Sequence, residues 1–329
     1  MPLDAELRAS LVLPAVCAPM TMVSGPALVR EACRSGIMGV LPRHNASSRE
    51  EFESWLAAIR RDLEVHRARD PRAVIGPLAV NLIARQVGEE IRADVDICVR
   101  YGVKHFITAL GNPKDIACVV HDAGGKVFHD VTSLRFAAKA IESGVDGLTC
   151  IGSGGGGHSG TLNALAFIPR VRRLWHGTLI FAGCISDGAA IRAAEILGAD
   201  LAYLGTRFIA TEESEAPEEY KAMLVKDSSD DLKYTERVSG IPANWLASSL
   251  RRLHLDPDKV PVPIPGAPRY QHLPAEARPW RQIWSAGQGI DLIDDVPSVH
   301  DLVRRLRREY VTACDAPDMR AAAAESSEP

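Results

Sequence analysis

The densest chemical signal in the chain is Gly152-Ser153-Gly154-Gly155-Gly156-Gly157-His158-Ser159-Gly160, a glycine run that ends on an imidazole. Glycine has no Cβ, so such a segment lets backbone approach a flat or phosphorylated ligand and turns its N–H groups toward an anion. His158 adds a base whose ordinary pKa, about 6.5, suits proton abstraction near neutral pH. Two more glycine turns follow later apolar runs: Ala182-Gly183-Cys184 and Gly205-Thr206. The N–H groups of Gly183 and Gly205, with the Thr206 hydroxyl, suit one phosphate, and plain turn chemistry is the simpler alternative. Ala18-Pro19-Met20 and Asn81 end two earlier apolar runs. An amide such as Asn81 can hydrogen-bond a heterocycle or cap a loop.

Other chemistries lack their required residues. Gly152, Gly154 and Gly157 satisfy G-x-G-x-x-G, but a dinucleotide fingerprint needs an acidic residue about 20 positions on. From Thr161 to Ser186 there is no Asp or Glu. No H-E-x-x-H motif and no cluster at ligand spacing occurs, so no metal site is expected. No G-x-S-x-G elbow points to a serine hydrolase. His129 lies inside an apolar run and reads as a core histidine. Trp245, Trp280 and Trp284 read first as packing residues and second as walls of a pocket. Cys184 reads as a small buried thiol.

The elements that must position these residues repeat along the chain. Apolar runs short enough for strands lie at 13–17, 37–41, 77–82, 105–109, 126–129, 147–150, 178–182 and 201–204. Most lack polar alternation, as expected for strands covered on both faces. Segments with helical spacing separate them, bounded by cap residues such as Asp187 and stops such as Gly144 and Gly198. Eight strands alternating with helices fit a closed (β/α)8 barrel or an open doubly wound sheet, and the count of eight favours the barrel. The barrel is expected to use residues 1–209 and 290–315. A mainly helical insertion takes 210–289, and a flexible tail takes 316–329. Barrel sites sit at the carboxyl ends of the strands, where the glycine segments fall.

Composition agrees with one large globular unit: 329 residues, 46% hydrophobic and 24% charged. With 38 basic and 42 acidic side chains the net charge is −4, which disfavours nucleic acid and membrane surfaces as partners. No apolar run reaches the roughly 18 residues of a membrane span, and the first ten residues lack the apolar block of a signal peptide. Seven scattered cysteines without a C-x-x-C pair argue against a disulfide framework, so a cytoplasmic location is expected.

With these elements in place, residues 13–310 resemble the nitronate monooxygenase family, formerly 2-nitropropane dioxygenases. The resemblance rests on Ala18-Pro19-Met20, Val80-Asn81-Leu82, Lys126-Val127-Phe128-His129, Gly156-Gly157-His158-Ser159-Gly160, Ala182-Gly183, Gly205-Thr206-Arg207-Phe208 and Ser285-Ala286-Gly287-Gln288-Gly289. It implies an FMN-dependent TIM barrel that oxidises alkyl nitronates with O2 to a carbonyl compound and nitrite. Ala18, Pro19, Met20, Asn81 and Gly156 would then line the flavin ring and ribityl chain. Ala182, Gly183, Cys184, Gly205 and Thr206 would hold the phosphate, and His158 would be the active-site histidine. Asp130 stands beside the flavin where many members have Lys. Gly154 replaces a common Glu, and Cys184 a common Gly, tolerable only with a negative φ or a side chain pointing away. The same superfamily includes NAD(P)H-dependent reductases of quinones and enoyl thioesters, and a barrel that keeps its flavin without catalysis is a third reading. Partners are expected to be a small nitronate or nitroalkane and O2, and a homodimer is compatible with the sequence.

Overall fold

In the computed structural model, which describes residues 3–85, 88–268 and 270–316, eight parallel strands close into a barrel. They are β1 (Ala15–Cys17), β2 (Met38–Pro42), β3 (Leu78–Ile83), β4 (His105–Ala109), β5 (Lys126–Val131) and β6 (Gly147–Ile151), then β8 (Thr178–Ala182) and β9 (Leu201–Leu204). A two-residue strand, β7 (Gly157–His158), stands outside the barrel. Closure comes from β9 against β1, where Ala15, Val16 and Cys17 register with Ala202, Tyr203 and Leu204. Each expected strand is present, with its ends moved by at most two residues.

Alternation along each strand divides the core. Val16, Met38, Val40, Ala79, Ile107, Phe128, Ile180 and Leu201 point inward and fill the barrel. Residues such as Cys17, Val80, Phe106, Val127 and Leu179 point outward against the helices. Each large side chain so buried contributes roughly 1.5–3 kcal/mol. The covering helices are α2 (Pro26–Arg34), α3 (Arg49–Arg69), α4 (Glu89–Arg100), α5 (Lys114–Asp122), α6 (Leu134–Glu142), α7 (Ala164–Leu174) and α8 (Gly188–Leu197). Side-chain caps start several of them: Ser48 accepts from the Glu51 N–H, Ser133 from Phe136 and Asp187 from Ala190. Gly198, at φ +106°, stops α8.

The ring is completed by α12 (Val299–Cys314), which packs on α8 and α2. A Cβ on Gly188 would lie 2.2 Å from the Tyr310 nitrogen, so glycine there permits the close approach of α8 and α12. A short helix that periodicity did not reveal, α1 (Ala5–Ala9), brings Leu7, together with Leu3 just before it, to the inward-facing core. Five residues are too few for a helical period to register.

The segment 210–289 differs from the mainly helical insertion expected. After the single turn α9 (Thr206–Ile209) it contains α10 (Glu218–Lys226) and α11 (Ala247–Arg252), but also β10 (Leu232–Thr235) and β11 (Ala243–Leu246), and much of the rest is turns and irregular backbone. The two strands form an antiparallel sheet with β7, in the order β10-β11-β7. Strands of four residues are too short for an alternating period to register, and β11 takes its second partner, β7, from some 85 residues away. This segment has its own core, with Trp245, Leu250, Ile283 and Val238 buried together. Of the expected tail, residues 317–329 lie outside the described residues.

Candidate active site

The strand ends converge as the barrel geometry requires. Ala18, Pro19 and Met20 follow β1, Asn81 and Asp130 sit near the ends of β3 and β5, and Gly156 and His158 follow β6. Ala182, Gly183 and Cys184 end β8, and Gly205 and Thr206 follow β9. All twelve line one cavity of about 1130 Å³. That exceeds the 300–1,000 Å³ usual for a single ligand, leaving room for a cofactor-sized molecule and a substrate. Asn81 is buried and its amide donates to the Ile107 carbonyl at 3.1 Å, which fixes the side chain at the barrel mouth.

One end of the cavity presents glycine turns with unpartnered N–H groups. Gly183 adopts φ +127°, and a Cβ there would lie 3.1 Å from the Gly155 nitrogen, so only glycine fits. Among the described residues the N–H groups of Gly183, Gly205 and Thr206 donate to no carbonyl or side chain. The Thr206 oxygen accepts from the Gly287 N–H at 2.8 Å, which leaves its O–H free to donate outward. The start of α8 offers less than expected, because Glu309 accepts from the Gly188 N–H at 2.9 Å and Asp187 from Ala190 at 2.7 Å. The free donors at this end therefore belong to the two glycine turns themselves.

Cys184 departs from expectation. It is exposed rather than buried, and its φ of +59° lies in the left-handed region. The thiol points toward Gln288, 3.8 Å away, and a Cβ at Gly154 would sit 1.8 Å from its sulfur. Gly154 and Cys184, two of the three expected departures from the family pattern, thus share one space. The Gly154 carbonyl accepts from both the Cys184 and Gln288 N–H groups, at 3.3 and 2.9 Å, which ties three loops together.

His158 stands at the mouth on β7, half-buried, with Trp280 edge-on at 5.2 Å and 88°. Trp280 holds φ +68° and lines the cavity, the first of two among the three tryptophans for which the pocket-wall reading holds. Trp284 also lines it, stacked on Tyr220 at 4.8 Å with the Arg252 guanidinium 4.0 Å above its ring. Trp245 is core. Sequence reasoning missed Asn244, which is buried on β11 and donates to the carbonyls of Ser153 and Gly155 at 3.0 and 2.7 Å. It clamps the glycine run from the insertion side, and nothing local to Asn244 announces that role. His129 behaves as a core histidine: Thr108 meets its Nδ1 at 2.8 Å, and burial lowers its pKa to about 4.

Asp130 and Tyr203 meet at the cavity floor. Burial pushes the Asp130 carboxyl up to about 7, partly offset by the Thr149 hydroxyl dipole. The Tyr203 phenol is driven well upward by burial first and by Asp130 second.

A closed barrel whose cavity joins glycine turns with free N–H groups to an imidazole at its mouth is the architecture of a flavin-dependent oxidoreductase barrel. The nitronate monooxygenase family model matches residues 7–309, and the chain belongs to that family. A nitronate monooxygenase of Paraburkholderia phytofirmans is 27% identical over 90% of this chain and 92% of its own. A (3aS,4S,5R,7aS)-5-hydroxy-7a-methyl-1-oxo-octahydro-1H-indene-4-carboxyl-CoA dehydrogenase of Mycobacterium tuberculosis is 29% identical over 72% of this chain. The chain spans 64% of that relative's length, less than two thirds. Among solved structures, nitroalkane oxidase from Streptomyces ansochromogenes superposes with a TM-score of 0.73 over 94% of this chain and 99% of its own, at 23% identity, a likeness of fold. Among the described residues no helix is long and apolar enough to cross a membrane.

Proposed function

We propose that the chain is an FMN-dependent nitronate monooxygenase, which converts alkyl nitronates and O2 to a carbonyl compound and nitrite. The observation that carries this reading is the anion cradle of Gly183, Gly205 and Thr206 facing the same cavity as His158. The residues present fit a mononucleotide. Three unpartnered N–H groups and one hydroxyl suit one phosphate, Gly183 is a cradle that a Cβ would fill, and no acidic residue waits for a second ribose. Ala18, Pro19, Met20, Asn81 and Gly156 would border the ring system. Bound there, the flavin supplies electron acceptance and, once reduced, reaction with O2.

The chain's own contribution is binding and proton handling. His158 takes the α-proton of a neutral nitroalkane, or positions a nitronate that is already anionic. Trp280, edge-on to the imidazole, restricts its orientation and keeps water from that face. Asn244 holds the loop on which His158 rides. Heating the purified protein and chromatographing the supernatant tests the cofactor. Release of FAD, or no flavin after reconstitution, sinks the reading.

A second reading, oxidoreduction of a coenzyme A thioester, draws on the M. tuberculosis relative and on the cavity's outer lining, where Arg85, Lys139 and Phe136 offer cations and an aromatic face. Anaerobic mixing with NADH, then with an enoyl thioester, separates the two: fast bleaching of the flavin favours the thioester reading.

A further inference from the structure

Three polar atoms in the upper interior of the barrel are sealed from solvent with no partner at hydrogen-bonding geometry among the described residues: Asp130 Oδ1, Thr149 Oγ1 and the Tyr203 hydroxyl, the Thr149 hydroxyl standing only near enough to Asp130 to favour its charged form. They come from three strands. Asp130 and Thr149 are register partners across β5 and β6, and Tyr203 reaches in from β9, near enough for its ionisation to feel Asp130. Asp130 and Tyr203 both line the cavity. A buried carboxylate without a cation or donors is costly, whereas a neutral carboxyl needs only an acceptor for its O–H.

Among the described residues no cation compensates it. Arg85, Lys139 and Glu142, the charged residues that line the same cavity, lie on the loop after β3 and on α6, and none perturbs Asp130. The titratable groups around it are Tyr203 from β9, Cys150 beside Thr149 on β6, and His129 on its own strand. Burial drives the phenol and the thiol upward and the imidazole down to about 4, so all three are neutral near pH 7. β3 contributes Asn81, which is uncharged, and His158 lines the cavity from the mouth. Burial acts on the carboxyl with only Thr149 opposing it, and its titration falls at about 7.

We propose that Asp130 is a proton-responsive contact to the flavin ring: protonated, it donates its O–H to a ring acceptor, and deprotonated, it sets a negative charge there. The proposal rests on the flavin reading above and adds the protonation state of one residue. Two electrons delivered to the ring from an electrode add negative charge beside Asp130, which then holds its proton more tightly. Above the carboxyl's titration, the Asp130 carboxylate therefore takes a proton from solvent as the ring is reduced.

Two measurements test this. In cofactor-free protein, infrared difference spectra between acid and alkaline pH should show a protonated-carboxyl C=O band lost through about pH 7, and Asp130→Asn should lack it. In flavin-loaded protein at pH 8, electrochemical reduction should take up close to one more proton per flavin in the wild type than in Asp130→Asn. Absence of the band in the wild type overturns the proposal, because Asp130 is then ionised throughout. A band without the extra proton overturns the contact with the ring. Protein that binds no flavin but shows the band refutes the flavin reading and the ring contact with it, while the neutral carboxyl stands. Should the variant fail to fold, isotope-labelled aspartate in the wild type assigns the band, because Glu215 is the other carboxyl that burial raises and the label leaves it unshifted.

Discussion

Gly154 and Cys184 should behave as one unit. A methyl group at position 154 would meet the Cys184 sulfur at 1.8 Å, Gln288 Oε1 at 3.2 Å and the Cys184 Cβ at 3.4 Å. The thiol can swing about χ1, so the first contact is relieved at the cost of its position against Gln288, whose amide must itself give slightly, and the third is ordinary van der Waals contact. Overpacking of this kind costs typically 1–3 kcal/mol. Gly154 does not need a left-handed φ, so alanine also gains about 0.4–1 kcal/mol from a less disordered unfolded chain. Gly154→Ala should therefore destabilise by roughly 1–2 kcal/mol. Cys184→Gly removes a left-handed non-glycine residue, a strain of roughly 1–2 kcal/mol, and returns about 0.5–1 kcal/mol as backbone entropy, so it should be neutral or mildly stabilising. The double variant should recover most of the loss, with a coupling of at least about 1 kcal/mol. Scanning calorimetry of the four proteins measures it, 1 kcal/mol corresponding to roughly 2 °C at this size. Flavin content should follow the same order, because the Gly154 carbonyl ties the Cys184 and Gln288 loops. Strict additivity of the two single effects would refute the shared space.

Gly205→Val should leave the barrel folded yet strip bound flavin. A Cβ there meets nothing nearer than Met20 Sδ at 3.7 Å, so the protein accepts it, and the branched side chain projects into the phosphate cradle. Wild-type flavin content in the variant would move the phosphate elsewhere. His158→Asn should lose roughly 10²–10⁴-fold in kcat/KM with neutral nitroalkanes and much less with pre-formed nitronates. Equal losses on both substrate forms would assign His158 to positioning. In cofactor-free protein, Asp130 carries a pKa raised from 3.8 to about 7, so its contribution to stability is full below 3.8 and is lost as pH rises through 7. Asp130→Asn should match the wild type near pH 4 and exceed it at pH 8 by at most about 4 kcal/mol, read from urea midpoints. A variant no more stable at pH 8 than at pH 4, relative to wild type, contradicts the raised pKa.

The barrel was legible because its strands are buried on both faces: runs such as Leu201–Leu204 and Thr178–Ala182 are apolar throughout, and cap and stop residues such as Asp187 and Gly198 mark the helices between them. The expected cofactor and catalytic residues were legible as candidates because strand ends facing a barrel mouth need glycine or a small polar side chain there. The extra strands were not. β10 and β11 are four-residue strands of one local hairpin, too short for alternation to register, and β11 meets β7 only across some 85 residues of chain.

Sequence alone determined the alternation of strands and helices, the glycine turns and the imidazole at the end of the run, since these depend on neighbours within a few positions. Only the tertiary structure decided that Cys184 and Gly154 share one volume, that Trp280 walls His158, that Asn244 clamps the glycine run, and that Asp130 stands uncompensated at the cavity floor. Each of these depends on which groups a distant strand or loop brings within a few ångströms. Burial, charge and steric fit at a site are properties of that assembled neighbourhood, and residue order fixes them only through the fold.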